Sequence, residues 1–125
     1  MNGAEIRGKL PSLNEYIDAC RRNKYAGAKM KHEAERLIIA QIGRMKPITQ
    51  RSVIIFTWHE KTRQRDPDNV AAAKKFVLDA LQRAGKLPND NSQYIAGFTD
   101  CFVYGKEYGV TIEVEPITET KRGAG

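Results

Sequence analysis

Asp66 and Asp68 stand either side of Pro67 in the run Arg63-Gln64-Arg65-Asp66-Pro67-Asp68-Asn69, and His59, Lys61, Arg63 and Arg65 precede them. Hard carboxylate oxygens are suited to Mg²⁺, which commonly takes one or two protein carboxylates and completes its shell with water and substrate phosphate. Cations alongside would draw in the phosphate. The same residues also describe an ordinary helix start, with Asp66 as N-cap, Pro67 at the first helical position and Asp68 facing the positive end of the helix dipole. Capping requires one carboxylate, whereas this segment carries two behind a basic approach, a combination suited to metal plus phosphate.

Two distant residues are candidates to join them. In a continuous helix the seven residues from Asp68 to Lys75 advance about 700°, which returns Lys75 to the same face. Helical side chains lean towards the amino terminus, so Lys75 would be aimed at the acidic end. A plain pair with Asp79 four residues on explains Lys75 equally well. Asp90 lies among the turn formers Leu87-Pro88-Asn89-Asp90-Asn91-Ser92 and by itself reads as a turn aspartate.

The elements that must position these residues follow from apolar spacing. A short strand is expected over Glu5 to Leu10, stopped by Pro11. Ser12-Leu13-Asn14-Glu15 has the form of a capping box and opens a helix running to about Asn23. After a break near Gly27, Met30, Ala34, Leu37, Ile38, Ile42 and Met45 mark one face of a second helix that Pro47 closes. Ser52 to His59, apolar on both alternating faces, predicts an interior strand covered on two sides. Val70, Ala73, Val77, Ala80, Leu81 and Ala84 predict a helix stopped by Gly85. Tyr94 to Tyr104 makes another strand, Val110, Ile112 and Val114 alternate in a last one, and the turn Gly105 to Gly109 between them predicts an antiparallel hairpin. The order indicates an α+β fold, helices against a mixed sheet in one domain over 1–116, with a mobile tail over 117–125.

A net charge of +6 favours an anionic partner without selecting one, and 41% hydrophobic residues can support a core. No apolar run approaches the roughly 20 residues needed to cross a bilayer, and no signal segment opens the chain, so a cytoplasmic protein is expected. Cys20 and Cys101 are expected to be reduced packing residues, and His32 and His59 fall outside ligand spacings. The run Arg21-Arg22-Asn23-Lys24-Tyr25 is basic around one aromatic, as phosphate-gripping segments are.

The combination Asp66-Pro67-Asp68-Asn69, Lys75-Phe76-Val77-Leu78-Asp79-Ala80-Leu81 and Gly85-Lys86-Leu87-Pro88-Asn89-Asp90 resembles the RusA family of Holliday junction resolvases. The likeness is clearest from Thr57 to Phe102, and Gly8-Lys9-Leu10-Pro11-Ser12-Leu13-Asn14 looks like that family's opening strand and loop. The resemblance implies a RusA-like fold and a catalytic set of Asp66, Asp68, Lys75 and Asp90, with Asn69 and Asp79 in support. Asp66, Asp68 and Asp90 would hold Mg²⁺, with Mn²⁺ as a substitute. It further implies paired symmetric nicks in four-way DNA junctions by a homodimer, contacting DNA through Arg21, Arg22, Lys24, Lys29, Lys61, Arg63 and Arg65. Two departures stand out: the segment from Asn69 to Lys75 is about one helical turn longer than in some members, which leaves Lys74 as an alternative to Lys75, and where the family's loop has an acidic pair this chain has Asn89-Asp90, which keeps only the second carboxylate. A non-catalytic branched-nucleic-acid binding module, or a metal nuclease acting on flaps or single strands, are the competing readings.

Overall fold

Trp58, Phe56 and Ile54 point to one face of a central strand and are all but inaccessible to solvent, and the rest of the molecule is organised around that row. A computed structural model describes residues 2–118. In chain order they form β1 (Asn2–Arg7), α1 (Leu13–Arg22), α2 (Lys24–Ile39), β2 (Ser52–Glu60), α3 (Pro67–Ala71), α4 (Lys74–Arg83), β3 (Ile95–Tyr104) and β4 (Gly109–Pro116). This is an α+β fold with a mixed sheet in the order β1-β4-β2-β3. Of the tail expected over 117–125, all but Ile117 and Thr118 lies outside the described residues.

β2 runs parallel to β3 and antiparallel to β4, so β2 separates the last two strands. The expected hairpin between β3 and β4 is therefore not formed. Residues 105–108 instead straddle the end of β2, where the Gly105 amide donates to the Glu60 carbonyl at 2.8 Å. A short glycine-flanked turn is compatible with either arrangement; β2, apolar along its length, takes the central position where both edges are paired. Its cover is one-sided. Ile54, Phe56 and Trp58 enter the core with Ile6, Val110 and Ile112, whereas Val53, Ile55 and Thr57 on the other face stay half-buried.

Ser12 and Glu15 form the expected reciprocal cap of α1. The break to α2 comes at Asn23, whose side chain accepts from the amides of Tyr25 and Ala26. Gly27 lies inside α2, buried against α1 where a Cβ would collide with Cys20 Sγ. α2 ends at Ile39, short of the expected limit, and Ile42 and Met45 reach the core from the following turns. β1 also falls earlier than expected, and Leu10 is buried beyond it. Both cysteines are free but exposed, not packed into the core.

Candidate functional site

Glu60 closes β2 with its side chain buried, and the residue that compensates its charge is Arg65. Arg65 Nε and Nη2 donate to the two Glu60 oxygens at 2.8 and 2.7 Å, and Nη1 donates to the Leu10 carbonyl and to Glu15 Oε1, each at 2.9 Å. Hydrogen bonding to Glu60 raises the pKa of the guanidinium against the opposing effect of burial. Glu15 is held below its ordinary value: burial works the other way, and hydrogen bonds from the Ser12 amide and Arg65 outweigh it. Four donors of Arg65 are thus committed within the fold, so this expected DNA contact is first a brace joining β2, the loop after β1 and α1.

The residue after the brace is Asp66. Its backbone is extended and caps α3, with Pro67 at the first helical position, but its side chain makes no capping hydrogen bond. Asp68 Oδ1 accepts from the Asn69 amide at 3.0 Å. Both carboxylates are exposed, and Asn69 is half-buried beside them in sequence. At the helix start, the local role that fits their spacing, Asp68 gives one oxygen to a first-turn amide and Asp66 gives none.

The helix expected from Val70 to Ala84 is interrupted at Ala72 and Ala73, and α4 restarts at Lys74. The rotation that would stack Lys75 over Asp68 therefore does not apply. Instead Lys75 Nζ lies 3.1 Å from Asp79 Oδ1 and 3.4 Å from Asp90 Oδ2. Asp79, which also meets Lys31 at 3.4 Å, is the principal cause of a raised Lys75 pKa, with Asp90 contributing after it. Lys75 and Lys31 border a cavity of about 280 Å³ with Tyr16 and Phe76.

Lys74 turns to the sheet. Its ammonium pairs with Asp100 Oδ2 at 2.7 Å and sits 4.6 Å from the Phe98 ring centre and 5.4 Å from that of Phe56. Asp100 Oδ1 accepts from Trp58 Nε1 at 2.9 Å. Of the two adjacent lysines, Lys75 is the one directed to the Asp90 loop.

Hard oxygen donors are therefore present at Asp66 and Asp68, with Asp90 a third carboxylate engaged by Lys75. Among the described residues, no three His, Cys, Asp or Glu side chains come together as a metal-holding group. The donor types suit Mg²⁺, and two exposed carboxylates, of which Asp68 commits one oxygen to the Asn69 amide, match its usual demand on a protein. Among the described residues, a closed shell of three carboxylates is not assembled.

No family model and no curated protein matches this chain. No helix among the described residues is long and apolar enough to cross a membrane.

Of the other basic residues singled out in the sequence, Arg21 and Arg22 are exposed on the last turn of α1, Lys24 lies 5.2 Å over the Tyr25 ring, and Lys29 pairs with Glu33 at 3.9 Å. Lys61 and Arg63 lie on the loop leading to Asp66, where Arg63 stacks 4.2 Å over Tyr104. Sequence reasoning overlooked Lys9, Lys106 and Tyr108 around that loop. The alternation Tyr104-Gly105-Lys106-Glu107-Tyr108 was the available signal, since cations interleaved with aromatics mark phosphate-binding surfaces.

Proposed function

We propose that this chain is a RusA-like, divalent-metal-dependent endodeoxyribonuclease that cuts four-way DNA junctions in recombination and repair. The observation that carries the reading is the approach of Lys75 to Asp90: two residues 15 apart, linked beforehand only by the family likeness, meet at 3.4 Å. The exposed carboxylates of Asp66 and Asp68 add support.

In this reading Asp66, Asp68 and Asp90 would hold Mg²⁺, or Mn²⁺ in its place. A bound ion supplies Lewis-acid polarisation of a phosphoryl oxygen and a more acidic water. The chain's own contribution is positional. Lys75 keeps a positive charge beside Asp90, where it can pair with a phosphate oxygen as negative charge develops. The basic loop 61–65 orients the backbone, and resolving a junction by two symmetric cuts calls for a homodimer.

Strand-resolved cleavage of a synthetic four-way junction with Mg²⁺, beside flap, duplex and single-strand substrates at matched salt, tests the reading. Junction cutting by the wild type, lost in Asp90→Asn, is the expected result. Equal cutting by the two proteins defeats the assignment. A second reading is favoured by the lack of a three-ligand group among the described residues: a non-catalytic module that binds branched nucleic acid. Junction binding under chelation, without cutting in any divalent ion, selects it.

A further inference from the structure

At one end of the sheet, where β1 and β2 finish and β3 passes over to β4, cations gather around a tyrosine. Lys9 Nζ and Lys61 Nζ lie 4.9 and 5.5 Å from the centre of the Tyr108 ring. The ring quadrupole attracts both ammoniums, yet among the described residues neither has a carboxylate within ion-pair distance. Arg65 faces the same ring at 5.7 Å, but Glu60 and Glu15 already meet its charge. The adjoining cavity, about 300 Å³, is lined by Arg7, Lys9, Lys61 and Lys106 against one carboxylate, Glu107.

The arrangement is held by backbone. The Gly8 amide donates to the Tyr108 carbonyl at 3.0 Å, with Gly8 at φ +119°, and the Gly105 amide donates to Glu60. Three chain segments are thereby fixed to one another, and the lysines they carry converge without mutual neutralisation. An anion entering the cavity relieves that like-charge repulsion. Arg63, stacked on Tyr104 at the other end of the 105–108 connection, extends the positive surface beyond what one small ion would occupy. Repeated charge spread over separate segments matches a polymer of phosphates.

We propose that this cavity docks the phosphodiester backbone of a nucleic acid, with Lys9 and Lys61 as direct phosphate contacts and Tyr108 as the platform that sets them. The choice of nucleic acid over other polyanions rests on the nuclease reading above. Lys61 stands five residues before Asp66, a reach of at most about 17 Å, so a strand seated here continues towards the acidic pair within a few phosphates.

The test is metal-free binding of a fluorescein-labelled four-way junction and of a linear duplex, followed from about 50 to 200 mM salt. Lys9→Gln with Lys61→Gln is expected to weaken both substrates alike and to reduce the slope of log K against log salt by about two, close to one per lost phosphate contact. Lys9→Arg with Lys61→Arg keeps the slope. Lys46→Gln, the same charge change near Asn2 at the opposite end of β1, changes it by less than either pair member. A wild-type slope in the double Gln variant, with an unchanged thermal melt, overturns the proposal. So does a loss confined to phosphatidylserine vesicles offered in place of DNA. Because no metal is present, these outcomes are independent of cutting: a reduced slope in a protein that never cleaves keeps the docking surface and removes the nuclease.

Discussion

Lys75 Nζ lies 3.4 Å from Asp90 Oδ2, tying the first turn of α4 to the loop that precedes β3. Removing that ammonium takes away charge stabilisation without removing the basic loop 61–65. Lys75→Ala is expected to slow junction cutting about 100-fold, the scale of losing one preorganised donor, while binding changes far less. Single-turnover rates beside anisotropy titrations check this, and an equal loss in both would make Lys75 an affinity anchor.

The neighbouring Lys74 should behave differently. It is three-quarters or more shielded, paired with Asp100 and set against two aromatic rings. Lys74→Ala is expected to cost about 1–2 kcal/mol in urea unfolding and to leave the cutting rate per folded molecule unchanged.

Arg65→Ala is expected to be severe, about 3–5 kcal/mol, because it strands the buried Glu60 carboxylate. Arg65→Lys should recover only part, since a lone ammonium cannot reproduce the forked contact with both Glu60 oxygens. Denaturant midpoints of the two variants decide the matter.

The pH dependence has a defined sign at Glu15. Its folded pKa is depressed, so its ionised contacts stabilise fully above the ordinary glutamate range and are lost as pH falls through the folded value. Glu15→Gln is expected to flatten this part of the acid limb of the melting-temperature profile and to leave its shape near neutrality as in the wild type. A limb as steep as the wild type's would assign the acid sensitivity elsewhere.

At the contact of α1 and α2, Gly27→Ala forces a methyl against Cys20 Sγ and is expected to destabilise by about 1–3 kcal/mol. Cys20→Ala should remove most of that penalty, which a double-mutant cycle of unfolding energies measures directly.

The local features of the fold were legible because they are written locally. The Ser12–Glu15 box, the strand over Ser52 to His59 and the apolar face containing Val77 and Leu81 each follow from a few neighbouring residues. Strand order was not, since 105–108 connects its strands equally well as a tight hairpin or as a bridge across the end of β2. The helix break was misplaced to Gly27 because glycine suggests a stop, whereas here it provides room for Cys20, and Asn23 both ends α1 and caps α2. At the candidate site, Asp66 and Asp68 could be singled out by type and spacing. The partners of Arg65 could not, because Glu15 lies 50 residues away and only the closed fold brings it within 2.9 Å.

The brace at Arg65 has a bearing on how the acidic pair meets a ligand. Asp66 is the next residue along the chain, so the backbone entering it is already stripped of most of its freedom before anything binds. A partner arriving there spends little of its affinity on ordering the loop.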